Sequence, residues 1–326
     1  MRFSLSEDQL SIQSTAREFL AARYPFSEVR RLALEEERGF TDEQWSEMVE
    51  LGWPGLAIPE EHGGLGLGMV ELAVLAEELG YAVAPTPLPS SWATAQLVGP
   101  VFLERLAGGG ERGAAASFHD EADGSWLVAD ADAAALIVLG DRVISRDEAD
   151  VERVDALDHT RRLYRVRAAD DAGEPSGEHD HADGLARIAV QTAAETVGIA
   201  QRAMEMAVEY AKDRKQFGRP IGTYQAVSHA CAQMLLEVEG ARSLVYFAAW
   251  ALEHSRDEAP LAAAAAAAYA GDAGTRVTGS SLQVHGGIGF TWEHDLHFLL
   301  KRAQSNARGV LRPSERRAEV AALIGL

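Results

Sequence analysis

Apolar positions near the start of the chain recur at helical spacing. Leu10, Ala16, Phe19 and Leu20 follow a Ser6 and Gln9 pair placed as in a capping box, which predicts an opening helix. Phe40, Thr41, Gln44 and Trp45 occupy the staple, N-cap, N3 and N4 positions of a second helix through Met48 to Leu51, and Gly52 should end it. Beyond a glycine-rich run, the helical pattern returns from about Met69 to Glu78 with Gly80 as the predicted stop. After Gly108-Gly109-Gly110 the period shortens. Trp126 to Ala129, Leu136 to Leu139, Arg142 to Ser145 and Leu163 to Arg167 read as strands separated by Asp- and Gly-bearing turns, a small sheet that ends in a polar loop from Asp170 to Gly184. From there the chain turns helical to its end, with helices predicted at about Leu185 to Lys215, Thr223 to His254, Pro260 to near His285, and a shorter one after Trp292. The alanines of Ala262 to Ala268 suit a helix that neighbours approach closely. The expected fold is mainly α with a small β insert: a helical domain over 1–110, a β-domain over 111–184 and a helical bundle over 185–326.

Composition narrows the class. With 47% hydrophobic and 25% charged residues in 326, the chain is neither disordered nor collagen-like. Fifty acidic side chains against thirty basic ones give a formal charge of −20, a field that repels phosphate backbones and anionic lipid, so neither nucleic acid nor membrane is an expected partner. A single cysteine, Cys231, can build neither a disulfide framework nor a thiolate metal cage. No basic segment followed by an apolar one opens the sequence, and the longest apolar run, Leu261 to Ala270, is nearly all alanine and short of a bilayer; the expected location is the cytoplasm.

The glycines between Gly55 and Gly68 admit no G-x-G-x-x-G register and follow Pro59, so they read as a tight structural turn rather than a nucleotide loop. His179 and His181 form a His-x-His pair, but no third ligand is placed by spacing, and no metal is expected. Two clusters in the helical region carry more. Asp213 to Gln225 reads Asp-Arg-Lys-Gln-Phe-Gly-Arg-Pro-Ile-Gly-Thr-Tyr-Gln, a guanidinium at a helix end followed by a glycine-broken turn, suited to holding a pyrophosphate. Gln283 to Phe290 reads Gln-Val-His-Gly-Gly-Ile-Gly-Phe, where adjacent glycines after a helix let a ligand lie against backbone. Each cluster alone also suits a helix C-cap with a solvated charge.

With these motifs, the Ser-Glu-x-Gln start, Leu51-Gly52-Trp53, the Glu60 to Gly68 loop and Thr291-Trp292-Glu293-His294 in the same order, the chain resembles the acyl-CoA dehydrogenase family of flavoproteins over nearly its whole length. The resemblance implies an N-terminal helical domain, a middle β-domain and a C-terminal four-helix bundle, with FAD bound across a subunit interface. It also implies that Arg214, Gln216, Phe217 and Gln225, together with Gln283, Gly286 and Gly287, contact the FAD of a neighbouring subunit.

Family members remove the α-proton with a glutamate past the glycine pair, commonly before a glycine. Here no acidic residue lies between Asp295 and Glu315, and the alternative position at the start of the first bundle helix, Leu185 to Gln191, is acid-free. The Thr-Glu-x-x-x-Gly-Ser-Asp and Trp-x-Ser/Thr segments that hold the flavin ring in the family are absent between Ala114 and Gly184. In these departures the chain resembles the short subunits of bacterial α2β2 acyl-CoA dehydrogenases, several of which act on steroid CoA thioesters. That resemblance implies a longer partner subunit carrying the base, an acyl-CoA substrate and an electron-transfer acceptor. Two alternatives stay open: a homomeric dehydrogenase using Glu195, Glu293 or Glu315 as the base, and a scaffold subunit that touches no cofactor.

Overall fold

The computed structural model describes residues 4–326 as two compact units, one formed by 4–26, 73–84 and 192–326 and the other by 27–72 and 85–191. The helices are α1 (Glu7–Arg23), α2 (Phe26–Leu34), α3 (Asp42–Glu50), α4 (Met69–Ala82), α5 (Leu88–Ala95), α6 (Pro100–Ala107), α7 (His181–Asp213), α8 (Gln225–His254), α9 (Ala259–His285), α10 (Leu296–Asn306) and α11 (Pro313–Leu323). The strands are β1 (Gly113–Asp120), β2 (Ser125–Ala129), β3 (Leu136–Leu139), β4 (Arg142–Ser145), β5 (Ala149–Val154), β6 (Leu163–Ala168), β7 (Glu174–Pro175), β8 (Lys215–Gln216) and β9 (Arg219–Pro220). A mainly helical chain with a small sheet is the fold that the patterning predicts.

In the second unit, seven strands run in the order β5-β6-β2-β1-β3-β4-β7, antiparallel throughout except for the parallel β1–β3 pair. Inward-facing Ala114, Val128, Ile137, Ile144, Tyr164 and Val166 form its core, and α5 packs on β1 and β3. Helix α3 starts at the expected cap: the Thr41 backbone N–H donates to Gln44 Oε1 at 3.1 Å and the Gln44 N–H returns to Thr41 Oγ1 at 3.2 Å. The C-terminal end of α2 is closed by a residue far along the chain. The buried Arg162 guanidinium donates to the carbonyls of Leu32, Ala33, Glu36 and Glu37, which satisfies acceptors that a helix end otherwise leaves orphaned. The glycine-rich run is a turn, as expected; a Cβ on Gly64 would lie 2.1 Å from the Ile58 carbonyl oxygen.

In the first unit, α9 lies at the centre, packed against α8, α10 and α11. Its alanines Ala262, Ala263, Ala264, Ala266, Ala267 and Ala268 are all buried, so short side chains do set close helix spacing here. Helix α1 begins with the predicted box, the Ser6 N–H donating to Gln9 Oε1 at 2.8 Å and the Gln9 N–H to Ser6 Oγ at 3.2 Å. One predicted boundary is corrected. Helix α4 does not stop at Gly80 but runs to Ala82, because Gly80 serves a close crossing: a Cβ there would sit 1.9 Å from the Glu195 carbonyl oxygen of α7, and one on Gly198 would sit 1.8 Å from that of Glu77. A second correction is that the polar loop ends earlier than Gly184, since α7 begins at His181.

Candidate functional site

Arg214 is the first residue past α7; its backbone N–H still donates to the Tyr210 carbonyl at 2.8 Å, and its own carbonyl accepts from Ile221 N–H at 2.8 Å. The latter bond closes the hairpin β8–β9, in which Lys215 faces Pro220 and Gln216 faces Arg219. Phe217 and Gly218 make the turn with φ of 51° and 80°. Two consecutive left-handed residues define the hairpin turn whose twist matches its strands, but the first position usually goes to Asn, Asp or Gly. An aromatic residue there is strained, and Phe217 is held 93% exposed at the tip. Tyr224 braces the hairpin, its hydroxyl donating to the Gln216 carbonyl at 3.2 Å while the Arg219 guanidinium lies over its ring at 4.2 Å. Gln225 is the exposed first residue of α8.

The second cluster sits at the end of α9. Gln283 is exposed on its last turn, and Gly286 follows as the cap with φ 64° and ψ −142°, a conformation in effect reserved for glycine. A Cβ added to Gly286 or Gly287 would meet nothing within 4 Å, so both glycines border open space. His285 is buried, its ring stacked on Tyr210 with centroids 4.7 Å apart and its Nδ1 2.8 Å from the Ser281 carbonyl oxygen.

The fold brings the two clusters together. Tyr210, Arg214, Gln216 and Ile221 from one side and Val284, His285, Gly287 and Ile288 from the other line a groove of about 500 Å³. Of the seven residues that the sequence singles out, Arg214, Gln216 and Gly287 line it. Gly286 adjoins it, whereas Phe217, Gln225 and Gln283 are on the surrounding surface outside the lining set. Tyr210 and His285 were missed as site residues. A signal existed for Tyr210, which lies one helical turn before Arg214 and therefore on the same face. His285 sat inside the motif and carried no chemistry of its own by sequence.

The groove's electrostatics are one-sided. No carboxylate lines it, and the Arg214 guanidinium has neither a hydrogen bond nor an ion pair within the described chain. Lys212, Lys215 and Arg219 accompany it against the single acid Asp213, a local cationic end in a chain of net charge −20. An unspent guanidinium, open backbone glycines and an aromatic wall fit a phosphate-bearing nucleotide.

The three acids considered as a base lie elsewhere. Glu195, 3% exposed, is held by the equally buried Arg302 at Oε1 and by Asn306 Nδ2 at 3.1 Å from Oε2. Asn306 Nδ2 also donates to Thr196 Oγ1 at 3.1 Å. Glu315 is exposed and paired with Arg312 at 3.3 Å, and Glu293 is exposed. His179 and His181 meet edge to face, and no group of His, Cys, Asp or Glu able to hold a metal ion occurs among the described residues. No helix among them is long and apolar enough to cross a membrane.

Two family models match the chain: acyl-CoA dehydrogenase, N-terminal domain, over residues 6–105, and acyl-CoA dehydrogenase, C-terminal domain, over residues 177–309. The chain is 34% identical over 322 residues to acyl-CoA dehydrogenase IpdE2 of Mycolicibacterium smegmatis, covering 95% of this chain and 97% of that one. Its structure is similar to that of the Tcur3481–Tcur3483 steroid ACAD, with a TM-score of 0.88 and 25% identity over 98% of both chains. It is also similar in fold to the ChsE4–ChsE5 complex from Mycobacterium tuberculosis, with a TM-score of 0.88 and 21% identity over 99% of both chains. This chain belongs to the acyl-CoA dehydrogenase family.

Proposed function

We propose that the chain is the base-lacking subunit of a heteromeric, FAD-dependent acyl-CoA dehydrogenase, working with a longer family member on an acyl-CoA thioester of the steroid type. The carrying observation is the groove, where the unpaired Arg214 and the open backbone at Gly286 and Gly287 meet with no carboxylate among the lining residues. Arg214 would neutralise the pyrophosphate of the partner's FAD through charge-assisted hydrogen bonds, and the two glycines would let the nucleotide lie against backbone. Gln216 lines the same groove as a neutral donor and acceptor. Phe217, Gln225 and Gln283, exposed around it, would contact the flavin nucleotide or its subunit from the rim. Bound FAD supplies the hydride acceptor for α,β-dehydrogenation.

The proton at the α-carbon needs a base, and neither Glu195 nor Glu315 is free for that role. Both oxygens of Glu195 are engaged in a buried cluster, and Glu315 faces solvent beside Arg312. A base must first reach its proton. The partner subunit would therefore supply the glutamate. The likeness to the Tcur3481–Tcur3483 steroid ACAD, named for two proteins, supports both a hetero-oligomer and a steroid-type thioester.

The test is turnover of steroid acyl-CoA esters, with an artificial acceptor, by the chain co-purified with a longer family member. Substituting the partner's glutamate should abolish turnover, whereas Glu195→Gln, Glu293→Gln and Glu315→Gln in this chain should leave it within a few-fold. A loss of about a hundred-fold or more in any of these three with FAD still bound would place the base here.

A further inference from the structure

His285 lines the groove, and binding a pyrophosphate gives it no role. Its Nδ1 lies 2.8 Å from the Ser281 carbonyl oxygen. A carbonyl can only accept, so Nδ1 carries the hydrogen and the lone pair of the neutral ring sits on Nε2. Tyr210 stacked on one side and His294 edge-on at 4.7 Å fix the ring plane. Burial lowers the imidazole pKa below its ordinary value, the bond to Ser281 opposes that, and His294 adds to it. Burial thus favours the neutral ring.

Among the described residues nothing donates to Nε2, and that atom is not sealed from solvent. His285 as a whole is only 4% exposed, and it lines the groove. An acceptor at that position is of no use to phosphate, whose oxygens also accept. It suits a hydroxyl or amino donor.

We propose that His285 is a specificity-determining residue, a fixed hydrogen-bond acceptor that reads the adenine amino group of the nucleotide whose phosphate Arg214 holds. The inference rests on the nucleotide reading of the groove, and it fixes the sign of a pH effect. As pH falls through the pKa of His285, Nε2 gains a proton, the acceptor is lost and affinity drops. A direct contact between His285 and phosphate would give the reverse, with affinity rising on acidification.

The other charged or titratable groups around the ring are Tyr210 and Arg214 at the end of α7 and His294 with Asp295 after α9. Burial likewise lowers the pKa of His294, with Asp295 opposing, and the His285 variants separate its contribution from that of His285. FAD is the suitable probe, because its pyrophosphate does not titrate between about pH 5 and 8, where histidine does.

Titrating FAD onto the purified full chain by flavin fluorescence over that range should show affinity about three- to ten-fold weaker at the acid end. His285→Gln, which keeps an acceptor without titrating, should bind near the wild-type neutral level at every pH. His285→Phe, which keeps the stack and removes the acceptor, should bind more weakly and without pH dependence. Affinity that rises on acidification, or a pH dependence undiminished in either variant, would overturn the inference. Should the Phe variant not fold, the wild-type profile and the Gln variant decide. Arg214→Ala separates the two readings: if it weakens FAD binding while the His285 variants match wild type, the role of His285 alone is wrong. If it too matches wild type, or if the wild-type chain binds no FAD at millimolar concentration, the nucleotide groove itself is wrong.

Discussion

Arg214 and Glu195 are charged residues with opposite fates. Arg214 faces an open groove with no acid to pair with, whereas Glu195 is sealed among Arg302, Asn306 and Thr196. A charged hydrogen bond to phosphate is worth about 1.5–3 kcal/mol, so Arg214→Ala in the assembled complex should weaken FAD retention about ten-fold or more. Flavin content after gel filtration reads the effect directly, and retention equal to wild type would remove Arg214 from the site. Glu195→Ala should act on stability instead. It strands a buried guanidinium, a change that costs about 3–5 kcal/mol, whereas Glu293→Gln and Glu315→Gln on the surface should stay within about 0.5 kcal/mol in denaturant unfolding. The sequence shows Glu195 only as an acid on the first bundle helix. Its partner lies 107 residues away, and no local spacing announces a pair made by two helices packing together.

At the scale of elements, legibility followed local chemistry. The capping boxes of α1 and α3 and strands β3 and β4 were readable because a few adjacent residues decide them. Strand β1 was not: Gly-Ala-Ala-Ala has little β propensity, and its strand state comes from pairing with β2 and β3. Strand β5, Ala-Asp-Val-Glu-Arg-Val, likewise owes its place to the full ladder with β6. Gly80 looked like a stop because glycine usually ends helices, and only the crossing of α4 and α7 shows why it is there. Gly80→Ala or Gly198→Ala would drive a methyl into a carbonyl oxygen, and each should destabilise the chain by about 3 kcal/mol, measured by denaturant unfolding. The hairpin tip behaves oppositely. Phe217→Gly removes left-handed strain of about 1–3 kcal/mol and gives up almost no burial, so it should raise the melting temperature of the isolated chain while lowering its FAD retention in the complex. The two clusters were legible as chemistry because arginine and paired glycines announce themselves. The apolar wall of Ile221, Val284 and Ile288 was not, since such residues at helix ends look like any others.

The whole molecule carries a charge of −20, and three of its arginine-paired acids respond to pH in one direction. Hydrogen bonds from Arg31, Arg38 and Arg276 hold Glu28, Asp42 and Glu237 below their ordinary pKa values. Stability from such pairs is fully present above the ordinary carboxylate range and is lost as pH falls through that range towards the depressed values, so the denaturation midpoint should fall on acidification below about pH 4. A cationic end at Lys212, Arg214, Lys215 and Arg219 on so acidic a chain is the part of the surface where a nucleotide's phosphates would be attracted rather than repelled. On the proposed function, this end completes a flavin site begun on another subunit. The most direct measurement is the flavin-to-protein ratio after gel filtration of the chain expressed alone and of the chain co-expressed with a longer family member. The lone chain should retain far less than one equivalent, and the complex should emerge yellow with FAD bound. A full equivalent on the lone chain, or a flavin-free complex, would rule out a shared flavin site.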